Sequence, residues 1–294
     1  MSQPQRTGFE DFAAAKLREA ATARIERLST ILHRRGKSPA RGIGNVWTRA
    51  HYGGDFDVAV PAEERTALSF VFVQSKDGNT GVADPSTLGG GPTDKHLIYE
   101  GLSRVAADAV LAGAATVHPE TFFSVWHPEL VALRHALGLP RHPAQIVVSK
   151  HGRVNFDALL FNVPDVPVFL IAGQECVSRR AAWFDARPWV RPIPLIADNL
   201  RPAIDRLRDA EGIRRISAVG GRFTASRLVD AGLAQDLYLT TTSREGGEPG
   251  TPWYSGATPP GLEVLTKKQW FDDGELIGFE HLWITTQGAG KTIE

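Results

Sequence analysis

The run Arg215-Ile216-Ser217-Ala218-Val219-Gly220-Gly221-Arg222-Phe223-Thr224 passes from a short apolar strand, through paired glycines, into a helix expected over residues 224–231. Two glycines at such a junction let the backbone turn sharply. They also leave the first helical N–H groups bare at the positive end of the helix dipole. That arrangement suits a pyrophosphate; a plain tight turn is the alternative the same residues allow. A strand delivered straight into a helix is half of a βαβ unit and points to a parallel sheet.

Outward from this run the same alternation recurs. Residues 67–75, 109–112, 145–149, 168–172, 193–197 and 237–242 are short, mostly apolar stretches. Such stretches suit strands covered on both faces. Between them, residues 94–108 and 200–211 carry helical spacing. The chain then offers two strands, near 262–271 and 276–285, around Asp272-Asp273-Gly274. Asp-Gly between apolar runs is a hairpin signal. The expected fold is α/β: a mostly parallel twisted sheet, helices on both faces, and a C-terminal antiparallel hairpin.

Before residue 67 the pattern differs. Phe9, Phe12, Ala13, Leu17, Ala20, Ala21, Ile25, Leu28, Ile31 and Leu32 recur at spacings of three and four, which predicts one extra N-terminal helix over 8–35 ended by Gly36. Residues 36–66 mix Gly, Pro and charges and read as a connector with one short strand. The expected organisation is an extension over 1–66, a main domain over 67–285 and a tail over 286–294.

Composition narrows the function. Among 294 residues, 33 are Lys or Arg and 33 Asp or Glu. A net charge of zero argues against bulk attraction to nucleic acid. No apolar run reaches the roughly 18 residues of a membrane span. The N-terminus lacks a basic and then apolar leader, so a cytoplasmic protein is expected. The lone Cys176 excludes an internal disulfide and a multi-thiolate zinc site, and no metal site is expected. His118-Pro119-Glu120 and His127-Pro128-Glu129 resemble half of a zinc deaminase motif, but its paired cysteines are missing. Gly288-Ala289-Gly290-Lys291-Thr292 mimics the end of a P-loop without its first glycine.

Four features fall at expected strand ends, where open α/β sheets bind ligands. They are Ser75-Lys76-Asp77-Gly78, Gly113-Ala114-Ala115-Thr116, Ser149-Lys150-His151-Gly152-Arg153 and the Gly220-Gly221 junction. Small residues let a backbone approach a ligand, a threonine hydroxyl can bind phosphate or ribose, and clustered cations can grip a phosphate monoester. Each feature alone is also an ordinary turn.

In order and spacing, these motifs resemble the pyrimidine reductase domain of riboflavin biosynthesis, over about residues 67–285. The resemblance rests on Ser75-Lys76-Asp77-Gly78, Arg104 ahead of Ala107-Asp108-Ala109-Val110-Leu111, Gly113-Ala114-Ala115-Thr116-Val117, and Gly220-Gly221. It implies a dihydrofolate reductase-like fold, NADPH as cofactor, a small aminopyrimidine ribosylamino phosphate as substrate, and a homodimer. By the same resemblance Asp77 is the catalytic carboxylate. Ser75, Arg104 and Glu120 are substrate-binding. Gly113, Ala114, Thr116, Gly220, Gly221, Arg222, Phe223 and Thr224 hold the cofactor, and Ser149 and Arg153 favour NADPH over NADH. The chain departs from the family at Val219, where a glutamate is usual, and after Thr116, where Val117-His118-Pro119-Glu120 replaces an acidic pair. Those departures keep two alternatives open: a pterin, folate-like or other imine or carbonyl substrate, and a non-catalytic nucleotide-binding protein.

Overall fold

The structure, a computed structural model, describes residues 3–34, 39–82 and 84–285. Among them a ten-stranded sheet runs, from edge to edge, through residues 29–33, 261–272, 275–285, 236–241, 67–74, 215–219, 109–113, 144–149, 168–172 and 190–194. Seven adjacent strands are parallel: β10 (Asp236–Thr241), β4 (Ala67–Gln74), β9 (Arg215–Val219), β5 (Ala109–Gly113), β6 (Ala144–Ser149), β7 (Val168–Ala172) and β8 (Val190–Pro194). β11 (Gly261–Asp272) and β12 (Glu275–Thr285) form the expected antiparallel hairpin, with β12 on β10. Asp273 and Gly274 turn it at φ of 48° and 82°, the left-handed pair that a two-residue hairpin loop requires.

The sheet buries both faces. Val71, Val110, Val147, Val219 and Tyr238 meet one apolar layer, and Phe70, Leu111, Ile146, Ala218 and Leu239 the other. The second layer is closed by α7 (Arg201–Glu211), through Ile204 and Leu207, and by α8 (Arg222–Asp230), through Ala225 and Leu228. This two-sided burial is why the strands read as continuous apolar runs.

The N-terminal expectation is corrected. The helix α1 (Gln3–Thr22) stops thirteen residues short of the predicted end, and Ser29–His33 forms β1, antiparallel to β11. Thr22 turns its hydroxyl back to the carbonyls of Arg18 and Glu19. Lys268 of β11 then donates to Thr30 at 2.7 Å, so strand pairing overrides the helical spacing. Ile31 accordingly faces outward, 58% exposed, whereas Ala20 on α1 is buried. The predicted stop at Gly36 lies outside the described residues, as does the Gly288–Thr292 segment.

The connector is also more ordered than expected. β2 (Ala40–Ile43) and β3 (Phe56–Ala59) pair as a two-stranded sheet around α2 (Val46–Thr48), which widens into a π turn over Arg49–Gly53. Asn45 and Thr48 cap α2 reciprocally. In the main sheet, the helix predicted over 94–108 is α3 (Gly91–Thr93) and a π-helical continuation, Asp94–Leu102. It ends early because Arg134, on α4 (Pro128–Ala136), binds the carbonyls of Val105 and Ala107 at 3.1 and 2.7 Å. Asp108 accepts from the backbone N–H of Arg214 and Arg215, which starts β5 beside β9. The strand predicted over 193–197 lies three residues earlier. Ala197 and Asp198 have positive φ and cannot continue it, and the sheet edge accommodates Pro192 and Pro194.

Candidate active site

The carboxyl ends of β4, β9, β5 and β6 lie side by side. Two of the four sequence features there are in direct contact, and strand pairing sets the other two on either side of them. Thr116 stands in a short turn, Ala114–Thr116, directly after β5. Its side chain lies against the Gly220-Gly221 junction: a Cβ on Gly220 would sit 3.1 Å from Thr116 Cγ2. A Cβ on Gly113 would sit 2.6 Å from Thr224 Oγ1. Gly220 and Gly221 take φ of 65° and 79°, where side chains are strained. Gly113, Thr116, Gly220, Gly221 and Thr224 are therefore one cradle, and its close approaches need glycine.

Gly221 is the N-cap of α8 and supplies no side-chain cap, so the first turn keeps unpaired N–H donors. Val219, the last residue of β9, is 1% exposed and turns into the core, so it presents nothing to a ligand. Phe223 is 69% exposed at the start of α8, with the Arg222 guanidinium 5.0 Å from its ring centre. Arg222 also lies 3.8 Å from Glu248. Ala114 is half-buried beside Thr116.

The β6 end is more polar. Ser149 is buried and donates to the carbonyl of Arg153, which closes the Lys150–Arg153 turn. Arg153 is exposed. Lys150 binds Asp198 at 2.9 Å, and Arg227 of α8 binds the same carboxylate. Asp198 thus holds two cations that a phosphate could otherwise attract.

The β4 end is a tight turn. Ser75 is fully buried, and its hydroxyl accepts from Asn79 N–H, so it shapes the turn. Asp77 is exposed at the turn's tip. Lys76 pairs with Glu245 at 2.6 Å and ties the turn to the loop after β10.

Two expected substrate residues stand apart from the cradle. Arg104 is 2% exposed. It donates to the Ser124 carbonyl at 2.7 Å and lies 4.1 Å from the Tyr99 ring centre and 5.6 Å from that of Phe123. The Nε and Nη2 atoms of this guanidinium are buried without a hydrogen-bond partner among the described residues. Glu120 is exposed in the turn that follows Val117.

One carboxylate that the sequence reading used only as a helix start belongs to the same frame. Asp94 accepts a hydrogen bond from Thr240 of β10. It is partly accessible, yet desolvation pushes its pKa up to about 7, against the lowering effect of the Thr240 bond. Val73 of β4 pairs with Thr240, and Val71 with Val219. The paired glycines therefore leave β9 near the height of Thr240. Two strand spacings separate them, roughly 10 Å. The available signal was Gly89-Gly90-Gly91-Pro92-Thr93-Asp94, a sharp turn into a helix carrying an acid.

The family model for the RibD C-terminal domain matches residues 67–271. The chain belongs to that family. A comparison with curated protein sequences returns no match. Among solved structures, a pyrimidine reductase-like protein of Corynebacterium diphtheriae is similar at 22% identity with a TM-score of 0.63, over 82% of this chain and 99% of that one. A deaminase/5-amino-6-(5-phosphoribosylamino)uracil reductase of Thermotoga maritima matches at 18% identity and TM-score 0.53, over 76% of this chain and 57% of that one. The riboflavin biosynthesis reductase of Saccharomyces cerevisiae matches at 15% identity and TM-score 0.51, over 76% of this chain and 92% of that one. These likenesses bear out the dihydrofolate reductase-like fold. The RibD family match points to an oxidoreductase of the riboflavin-pathway pyrimidine reductase kind. Among the described residues no helix is long and apolar enough to cross a membrane.

Proposed function

We propose that this RibD-family chain is an NADPH-dependent reductase that converts the ribosyl group of 5-amino-6-(5-phosphoribosylamino)uracil to a ribityl chain. The observation that carries the reading is the glycine–threonine cradle at β5 and β9, set against the uncapped start of α8. A pyrophosphate fits there: N–H donors are free, two hydroxyls stand at the rim, and no Cβ intervenes. Gly113, Ala114, Thr116, Gly220, Gly221 and Thr224 would hold the diphosphate, with Arg222 and Phe223 beside it. Ser149 and Arg153 would favour the 2′-phosphate. When bound, the cofactor supplies a hydride.

The chain's own part is placement: holding the reacting carbon near that hydride and keeping the rest of the substrate fixed. Asp77, oriented by the Ser75 turn, would face the substrate from β4. We extend the reading to a homodimer in the cytoplasm, which light scattering and cell fractionation test. The buried Val219, in place of the usual glutamate, supports a second reading: a related pterin or other imine substrate on the same fold.

The test is a titration with NADPH and NADH followed by nicotinamide fluorescence, then turnover on candidate substrates. Micromolar NADPH binding with turnover of the riboflavin intermediate and none of dihydrofolate is expected. Binding without turnover of any imine would leave a non-catalytic protein. Binding of neither nucleotide would make the cradle structural.

A further inference from the structure

The loop after β10 runs past both the β4 turn and the start of α8. It is anchored at its two ends. At the near end Ser243 and Arg244 both donate to Glu275, the first residue of β12, at 3.0 and 3.1 Å. At the far end the Tyr254 hydroxyl donates to Asp230 and Ser255 N–H to Ser226 Oγ, both on α8, at 2.6 and 2.9 Å. Between the anchors, residues 245–251 form a strap without regular structure, in which Gly246, Gly247 and Gly250 all take positive φ.

This strap is bonded to the turn that carries Asp77. Thr80 N–H donates to the Thr251 carbonyl at 2.7 Å, and Gly81 N–H to Thr251 Oγ1 at 2.9 Å. Glu248 N–H donates to the Gly81 carbonyl at 2.7 Å. Lys76 adds a backbone bond to the Arg244 carbonyl and its ion pair with Glu245. A Cβ on Gly247 would fall 2.9 Å from Asn79 Cβ, so the two backbones are in contact. Strap and turn are therefore one unit. The strap's tie to the cradle is far weaker. The Glu248 carboxylate lies 3.8 Å from Arg222, the first residue of α8, and the two side chains are 69% and 26% exposed. Such a pair contributes little on its own and is open to a competing anion.

We propose that Glu248 is a positioning residue that couples the arrival of a dinucleotide diphosphate at the cradle to release of the Asp77 turn. The inference rests on the reductase reading above, which puts a diphosphate beside Arg222. A diphosphate carries more charge than one carboxylate, and the bare N–H groups of α8 give it further donors. It therefore takes the Arg222 guanidinium from Glu248. The carboxylate then faces a like charge and leaves the start of α8. Because Glu248 N–H holds the Gly81 carbonyl, the turn with Asp77 loosens along with it. The cofactor thus opens the side of the site where the substrate is to enter. The coupling is reciprocal: a substrate that favours the released turn also favours the cofactor.

The test reads amide hydrogen exchange in the whole chain, without turnover. A bound ligand ordinarily slows exchange around it. Here NADPH at saturation should quicken exchange at the Thr80, Gly81 and Glu248 amides by about threefold, the scale of one exposed ion pair. Glu248→Gln keeps the shape and removes the charge. Its Thr80 and Gly81 amides should exchange at the faster rate without NADPH, and NADPH should change them no further. Arg222, freed of its partner, should also bind NADPH and NADH alike about threefold more tightly, because both carry the diphosphate. Glu248→Asp keeps the charge and should keep the exchange response to NADPH. Unchanged or slower exchange in wild-type protein saturated with NADPH, or a full response that persists in Glu248→Gln, overturns this proposal alone. A wild-type protein that binds neither nucleotide overturns the reading beneath it, and the proposal with it.

Discussion

The cradle at β5 and β9 and the site of Arg104 are made from opposite materials. The first is backbone: glycines at positive φ, bare N–H groups and two threonines in van der Waals reach. The second is side chain: a guanidinium driven into the core between Tyr99 and Phe123, beside Arg134, which holds three carbonyls of the turn after Leu102. A site made of backbone tolerates almost no added atom and asks little of side-chain chemistry. A site made of side chains tolerates changes of shape but depends on which way each residue points. Substitution separates the two.

The largest effect is expected at the paired glycines. Gly221→Val puts a branched side chain at φ 79°, which costs about 1–3 kcal/mol in strain alone. It also crowds the N–H groups of α8. NADPH affinity should fall by about 100-fold or more, equivalent to some 3 kcal/mol. Gly113→Ala should act through Thr224 Oγ1, 2.6 Å from the new methyl. Its loss of Tm should be recovered in the Gly113→Ala/Thr224→Ala pair. A Gly221→Val protein with wild-type NADPH affinity would remove the cradle from the cofactor.

Arg104 should behave in the other way. Arg104→Ala removes a buried side chain and its bond to Ser124, a loss of about 2–4 kcal/mol in stability. Arg104→Met should cost less, because it keeps the volume and removes two guanidinium nitrogens that have no partner. NADPH affinity should stay within about threefold in both, below 1 kcal/mol. Unchanged Tm with a raised substrate KM would return Arg104 to the substrate and erase the contrast.

This contrast also explains what could be read from the sequence. Glycines at strand ends mark their own constraint, so Gly113, Gly220 and Gly221 could be placed without a structure. Six of the seven parallel strands could be read because burial on both faces makes each a mostly apolar run, whereas the edge strand β8, with Arg191 exposed and two prolines, was placed three residues late. β1 could not, since Thr30-Ile31-Leu32 fits helical spacing as well as a strand, and only pairing with β11 decides between them. The surroundings of Arg104 and Asp94 could not be read, for a shared reason. A charged residue on a helix has no sequence mark for whether it meets a ligand, a hydroxyl such as Thr240, or the core. The register of the helix on the sheet settles that, and the π-helical widening over Asp94–Leu102 shifts that register.

A smaller effect should sharpen the cofactor side. Arg153→Ala removes an exposed cation at the β6 end. It should weaken NADPH by about tenfold, near 1.4 kcal/mol, and NADH by less than about twofold. Asp198→Ala should act in the opposite sense, because it releases Lys150 and Arg227 from their shared carboxylate. NADPH affinity should then rise by about threefold, within the range of an exposed ion pair. Equal changes for both nucleotides would show that this basic turn reads no 2′-phosphate.

The smallest effect lies on the side-chain half and concerns pH. His142 sits between Phe9, Phe122 and Trp126 and exchanges a hydrogen bond with Ser124 at 2.7 Å. Burial pushes its pKa down to about 3, and Arg141 and Arg134 add to the lowering. An unfolded histidine titrates near 6.5. Below that pH the unfolded chain takes up a proton that the folded chain refuses, so stability falls as pH drops from about 6.5 toward 3. Above pH 7 both states are neutral and the effect vanishes. The ring contact with Phe9 places the loss where α1 meets the main domain. Tm should fall by about 2–4 °C between pH 7 and pH 5.5, where one proton is worth at most about 1.4 kcal/mol per unit. His142→Phe keeps the ring packing and should flatten that part of the slope, while NADPH affinity at pH 7 stays unchanged. A slope that survives the substitution would assign the loss to His127, which burial lowers to about 4 under the stacked Trp47 ring.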